Sequence, residues 1–479
     1  MMKVCLANLP WELEERWGIR AGCRFPNLMP KKHNSYVPFP FFLAYTASYL
    51  ESKGIQVLLI DGVAERSSIE YFLKRVIEFQ PDLLLVETAT TSIRYDLQVL
   101  ARVKAVCAAT RIALCGSHVS MLPEEALASP FIDFVVMGEP EYTSDELTQA
   151  ISNGQDFGKI QGLAYRNDGI PSINPRRPMI SDVDALPYPK RSGVPMHRYN
   201  VPGFPSPVVY MYGSRGCPYV CNFCLWVQTI FEKHKYVPRT PNAIVNEIEH
   251  VLKKLPDTKS LFFDDDTFNV DKTRLYAFAA EMKRRNIFIP WGMNARADQW
   301  EKDLVCRLKE TGLFNVRMGI ESGDPEVQKR SGKALDLEEA RETLHIFHEM
   351  GIKNHINFMI GLAGESWNSI ENTIRFIKSV PVDSVQFTVA VPFPKTDYYN
   401  YLESNGLLLS KDWENYHAAS SAVMNTEHMS SAEIEKAITY VRRRIYLTPR
   451  FLLRRLSYIR SMSDAAAIVR KGLGLLKFG

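Results

Sequence analysis

The chain lacks the marks of several protein classes. It has no run of about 18 or more apolar residues, so no membrane-spanning helix is expected. Met1 leads into KVCLANLPW without the basic start and apolar stretch of a secretory leader, so a cytoplasmic location is expected. Surplus charge is missing too: a net +4 over 479 residues is too small to point to nucleic acid. Cysteine is sparse and mostly scattered, at 5, 23, 107, 115, 217, 221, 224 and 306. In a reducing compartment, disulfides between such residues are not expected. Cys5, Cys107 and Cys115 stand in apolar runs and read as buried structural thiols. With 46% hydrophobic and 23% charged residues, the chain has the composition of a globular protein, and its length calls for two or three domains.

What is present is alternation. Apolar strands such as KVCLANLP (3–10), IQVLLIDG (55–62), DLLLVET (82–88), RIALCG (111–116) and FIDFVVMG (131–138) take turns with helical patterns. Such a succession predicts a doubly wound parallel sheet, which binds ligands at the carboxyl ends of its strands near a switch point. IQGLAYRNDGIPSINPRRP (160–178) reads as a hairpin, and the Pro- and Gly-rich stretch 184–207 as an extended linker. Six further strands are expected at 208–214, 260–265, 287–295, 315–321, 354–361 and 384–391. With helices between them they make a barrel or open part-barrel, its chemistry at the C-terminal strand ends. Beyond about residue 400 the chain is expected to turn helical; residues 441–479 hold ten Lys/Arg against Asp464 alone. The expected division is 1–155, 156–207, 208–400 and 401–479.

GSRGCPYVCNFCLW (213–226) concentrates three cysteines within eight positions. A structural zinc site closes with four ligands, yet no fourth Cys or His lies in the segment, and His234 is ten residues on. A 4Fe-4S cluster takes one thiolate per iron. Cys217, Cys221 and Cys224 would therefore leave one iron open to a further ligand. Spacing favours that open cluster, with zinc or unliganded thiols as the alternatives.

Cys-x3-Cys-x-aromatic-Cys, with Phe223 as the aromatic, resembles the signature of the radical S-adenosylmethionine (SAM) enzymes. The resemblance implies that the three cysteines bind a 4Fe-4S cluster whose open iron is chelated by SAM. An electron from the cluster then cleaves the sulfonium to a 5′-deoxyadenosyl radical, which needs a dry, enclosed site. Later stretches are similar to the family's SAM contacts, in family order. FFDDDTFNVD (262–271) offers Asp265 and Asp266 to the SAM amino group, in place of the usual Gly-Gly-Glu; helix capping is the competing role. WGMNARAD (291–298) sets Arg296 near the SAM carboxylate, with a surface salt bridge as its alternative. MGIESGDPEV (318–327) offers Glu321 and Ser322 to the ribose, or else an ordinary helix cap. MIGLAGES (359–366) brings Gly361, which lacks a Cβ, to the adenine.

CGSHVSMLPEEALASPFIDFVVMGEPE (115–141) resembles the end of the B12-binding domain found in front of radical SAM cores, and ETATTSIRYD (87–96) its preceding loop. The implied cobalamin contacts are Thr88, Thr90, Gly116, Ser117 and His118. The Asp-x-His-x-x-Gly motif that supplies a histidine to cobalt is missing, so His118 is expected to hydrogen-bond within its loop rather than ligate. A flavodoxin-like module without a corrin is the structural alternative. The resemblance spans roughly residues 3–400. It implies an α/β fold: an N-terminal Rossmann- or flavodoxin-like B12-binding domain, a partial (β/α)6 TIM-type radical SAM barrel and a helical C-terminal extension.

The implied cofactors are a 4Fe-4S cluster, SAM and cobalamin, and the implied reaction is carbon methylation through methylcobalamin. The alternatives are a B12-dependent cyclisation or ring rearrangement, as in anaerobic Mg-protoporphyrin ester cyclases, and a non-catalytic cobalamin and Fe–S sensor. Expected partners are a small-molecule or lipid-like substrate and an electron donor such as flavodoxin or ferredoxin, with no nucleic acid. VRRRIYLTPRFLLRRLSYIRSM (441–462) reads as a solvated helix face, with peripheral membrane contact as its alternative. No catalytic acid or base is singled out.

Overall fold

The computed structural model describes residues 1–14, 16–30, 36–167, 169–418, 421–449 and 451. Two parallel sheets form its frame. The first holds β1 (Lys3–Asn8), β2 (Gln56–Asp61), β3 (Leu83–Glu87), β4 (Arg111–Cys115), β5 (Phe134–Val136), β6 (Leu163–Asn167) and β7 (Ile170–Ile173). Their order is β7-β6-β5-β4-β3-β1-β2, parallel from β1 to β5. Helices cover both faces, which is why β3, LLLVE, is buried at every position. The order reverses beside β1, so the crevice of this sheet opens at the carboxyl ends of β1 and β3. The predicted hairpin joins the same sheet, because β6 pairs antiparallel with β5.

In the second sheet β8 (Val208–Met211), β9 (Ser260–Phe263), β10 (Trp291–Ala295), β11 (Leu313–Glu321), β12 (Lys353–Ile360) and β13 (Ser384–Val389) pair in parallel in that order. The result is an open part-barrel with β8 and β13 at its edges. Amphipathic helices pack on its outside. Helix Trp367–Ser379 starts on the Ser366 hydroxyl, which accepts from Ser369 N, and buries Ile370, Thr373, Ile374 and Ile377. That spacing puts one apolar stripe on the sheet.

The two sheets share a seam. Helix Phe41–Ser52 buries eight of its twelve residues, as a helix enclosed between layers must. Phe41 stacks on Tyr212 at 3.7 Å, and Phe42 meets Trp226 edge-on. Arg215, fully buried just after β8, pairs with Glu139 at 2.7 Å and Glu141 at 2.6 Å beyond β5. The segment 184–207 straps the seam: Tyr199 Oη donates to Asp61 Oδ2 (3.0 Å), and Arg191 pairs with Glu247 (2.9 Å).

The stretch after 400 differs from expectation. Helix Asp397–Ser404 is followed by an irregular segment with one turn at Trp413–Asn415 and a bridge between Leu408 and Met424. Its many Asn, Ser, Asp and His side chains compete for backbone hydrogen bonds and disfavour helix. Helix Ser431–Tyr446 then opens on a capping box of Ser430 and Glu433 and buries Ile434, Ala437, Ile438, Val441 and Ile445. Arg444 on its outer side pairs with Glu371 at 3.0 Å. To residue 446 the interleaved Arg and apolar residues are thus a packed helix with a charged outer side. The basic stretch beyond 451 lies outside the described residues, among which no helix is long and apolar enough to cross a membrane.

Candidate functional site

From β8 the chain turns into a short strand, Ser214–Gly216, paired with Tyr236–Pro238. Cys217, Cys221 and Cys224 follow, before helix Leu225–Thr229. Their loop is tied on two sides. Gln228 Nε2 donates to the carbonyls of Cys221 (3.1 Å), Asn222 (2.8 Å) and Cys224 (3.0 Å). Asn222 N donates to Ser331 O, its Nδ2 to Arg330 O, and its carbonyl accepts from Tyr398 N. Thr267 Oγ1 stands 3.5 Å from Cys217 Sγ. Phe223, between Cys221 and Cys224, is buried in the hydrophobic core.

Burial pushes all three thiols up, Cys224 well above the ordinary value, with Asp266 and the neighbouring thiols adding to it. Lys333 and Arg296 pull the other way at Cys221. Three such groups lose their protons together when a cation arrives to take them, which is the behaviour of cluster ligands. Among the described residues no three His, Cys, Asp or Glu side chains converge as for a single ion. A cubane does not require that, since each thiolate takes a different iron.

The residues expected near SAM surround this loop with varied engagements. Asp265, beyond β9, is fully buried and spends both oxygens on the loop's root, accepting from Gly213 N (3.0 Å) and from Ser214 Oγ. Burial raises it to about 6. Asp266 pairs with Arg24 at 2.8 Å. Neither caps a helix, because Asp271 caps Lys272–Arg284. Arg296 forms a buried two-pronged pair with Asp298 (2.9 and 2.7 Å), donates to Lys333 O (3.1 Å) and lies 3.9 Å over the Tyr219 ring. It is no surface salt bridge. Glu321 sits at φ 69, at an irregularity in the β11–β12 pairing, and pairs with Lys333 Nζ at 3.3 Å. A left-handed non-glycine residue costs on the order of 1–2 kcal/mol, and such outliers gather at functional sites. Ser322 Oγ accepts from Asp324 N, while Asp324 itself caps Pro325–Arg330. Gly361 has φ 93, and a Cβ there would stand 2.8 Å from Met424 Cε. Its N–H donates to Glu365 Oε2 (3.1 Å), a carboxyl that burial raises to about 7.

The residues expected at cobalamin gather at the carboxyl ends of β3 and β4. Thr88 Oγ1 donates to Asp96 Oδ2 at 2.7 Å. Gly116 has φ 113, and a Cβ would meet Thr88 O at 2.3 Å. Ser117 opens the short helix Ser117–Met121. His118 is 1% exposed, with Nδ1 at 3.3 Å from Thr90 Oγ1 and Nε2 at 3.6 Å from Glu125. Trp413 covers the ring edge-on and donates to the same Glu125 (2.9 Å). Near this crevice Glu87 Oε2 and Thr91 Oγ1 are buried without hydrogen-bond partners. Unspent polar atoms at a strand-end crevice fit a polar ligand.

Several residues at the site carried no pattern in the sequence. Arg24, from the excursion after β1, crosses the seam to Asp264 (2.9 Å) and Asp266 and lies 4.4 Å over Trp226. Lys333 pairs with Glu321 and its charge acts on Cys221, and Trp413 closes the loop of His118. The only available hint was the run of three aspartates at 264–266, more acid than one helix cap needs.

Residues 211–377 match the Radical SAM superfamily, and residues 35–148 match the B12 binding domain. An uncharacterized methyltransferase of Pyrococcus horikoshii is 32% identical over 417 residues, 87% of this chain and 89% of that protein. The anaerobic magnesium-protoporphyrin IX monomethyl ester cyclase of Rubrivivax gelatinosus is 26% identical over 86% of this chain and 74% of that one. The structure of the radical S-adenosylmethionine methyltransferase TsrM from Kitasatospora setae, with cobalamin and 4Fe-4S cluster bound, matches at TM-score 0.70 and 17% identity. It covers 91% of this chain and 82% of that one, a likeness of fold.

Proposed function

Since the chain belongs to the radical SAM enzymes that carry a B12-binding domain, we propose that it methylates an unreactive carbon of a small molecule. When bound, the cluster supplies the electron that cleaves SAM to a carbon radical, and cobalamin supplies the methyl group. The observation that carries the reading is the Cys loop itself: three cysteines at a barrel strand end, their thiolates disfavoured by burial, on a loop fixed by Gln228 and Asn222.

Each group of residues then has a task. Cys217, Cys221 and Cys224 would hold the cluster, and Asp265 positions their loop from behind. Lys333 and Arg296 offset the thiolates' charge at Cys221. Glu321, Ser322 and Gly361 would border the SAM side, with Phe223 in the loop and Asp266 beside it. Thr88, Thr90, Gly116, Ser117 and His118 would border cobalamin, and Thr90, Glu125 and Trp413 hold the His118 ring within its loop. The Phe41, Phe42, Tyr212 and Trp226 rings at the seam exclude water, which a primary carbon radical requires. A protein such as flavodoxin or ferredoxin brings the electron. All eight cysteines are free, which suits a reducing cytoplasm.

Product analysis of the oxygen-free, reconstituted enzyme tests the reading. S-adenosylhomocysteine together with 5′-deoxyadenosine, and a substrate heavier by one CH2, is the expected outcome. Deoxyadenosine alone with a rearranged substrate would favour the second reading, a B12-dependent cyclase, which the likeness to the Rubrivivax gelatinosus cyclase supports.

A further inference from the structure

The inner face of the part-barrel carries a polar row that neither the fold nor the cofactors account for. Parallel register sets Asn294 on β10, Arg317 on β11, His355 on β12 and Ser384 on β13 side by side. Two residues further along the strands, Asn357 stands beside Gln386. Strand residues two apart share a face. The alternate residues Val316, Met318, Ile356, Phe358, Val385 and Phe387 are buried. Interiors of such barrels are ordinarily filled by branched apolar side chains. Here Ser384 and Gln386 are exposed, so the row opens to solvent along β13.

Arg317 is the odd member. Among the described residues its guanidinium has no hydrogen bond or ion pair, and it is only partly buried. Its charged and phenolic neighbours are Tyr36, Tyr210 and Asp264. Asp264 spends Oδ1 on Arg24 (2.9 Å) and Asn294 (2.7 Å) while its Oδ2 is buried without a hydrogen bond, and Tyr210 Oη donates to Asn200 O. Beside it, His355 places Nδ1 at 2.7 Å from Ser384 Oγ and buries Nε2 without a partner. Burial, with the Arg317 charge, lowers His355 to about 3 against the opposing pull of the nearby Gln386 and Asn357 side chains, so its ring is neutral. A planar fork of donors with nothing to bind, next to an unpaired ring nitrogen, matches an oxyanion.

We propose that the barrel interior grips a carboxylate or phosphoryl group of the substrate through Arg317, with His355 Nε2 as a second contact. The substrate is then an oxyanion-bearing small molecule, not a neutral lipid. Arg317 lies four residues before Glu321 on β11, on the order of 10 Å below the strand end at a rise of about 3.3 Å per residue. That distance lets a small molecule hold its charged end at Arg317 and its reacting carbon beside the Cys loop. Only the word substrate rests on the radical SAM reading; the anion site is tested without turnover.

The holoenzyme labelled with nitrogen-15 histidine is titrated with inorganic phosphate and, separately, with acetate. The His355 resonance, assigned by its loss in His355→Gln, is expected to shift saturably. The preferred anion tells a phosphoryl from a carboxylate handle. Arg317→Gln is expected to weaken binding by about ten- to a hundredfold, the worth of a charged hydrogen bond. Arg317→Lys, keeping a point charge, is expected to lose less. Should Arg317→Gln fail to fold, Arg317→Met serves the same comparison. No saturable shift with either anion, or equal affinity in a folded variant lacking the charge, overturns the proposal. Failure of the unsubstituted enzyme to cleave SAM would instead count against the reaction and leave the anion site standing.

Discussion

At the scale of single residues, the site is held by buried carboxylates as much as by its cysteines. Asp265→Ala would strand Gly213 N and Ser214 Oγ in a buried place. That costs about 1–3 kcal/mol and is expected to lower both the denaturation midpoint and the iron retained per chain after reconstitution. Glu365 gives a pH signature. Its carboxyl keeps a proton to about 7 in the folded chain against an ordinary 4.5. The folded state therefore binds more protons between those values, and stability falls as pH rises through that window, then levels off. Glu365→Gln is expected to remove this slope, read as the difference in Tm between the two proteins from acid to neutral pH. That the three cysteines share one loop was legible, because their spacing is covalent. The partner of Asp265 was not, because it depends on the register of β9 against β8.

At the scale of elements, the turn after β4 is a tight constraint on the first sheet's crevice. Gly116→Ala puts a methyl against a backbone carbonyl that no side-chain rotation can move. The strain is on the order of 1–3 kcal/mol. Lower Tm and less hydroxocobalamin retained on gel filtration are the expected results. Strand and helix positions were readable from periodicity in both sheets, since parallel strands buried on two faces are continuous apolar runs. The segment after Ser404 was not. Its residues are fixed by distant partners, Trp413 by Glu125 and Asp412 by Arg94, which no local pattern announces.

At the scale of the whole molecule, two layered units were legible but their docking was not. Arg215 is the clearest case: it reads as part of a Cys motif, yet it holds Glu139 and Glu141 from the other sheet. Arg215→Met leaves two buried carboxylates unpaired, at a cost of about 3–5 kcal/mol. Adding Glu139→Gln and Glu141→Gln is expected to recover much of the lost denaturation midpoint, a coupling that separate sites would not show. This seam sets the Cys loop against the first sheet, so the two cofactors' neighbourhoods come from one packed interface.

The most direct measurement is electron paramagnetic resonance of oxygen-free, chemically reduced protein, recorded with and without SAM. A reduced 4Fe-4S signal that changes on adding SAM, and is lost in Cys221→Ser, is the predicted result. Zinc in place of iron, or a cluster signal indifferent to SAM, would contradict it.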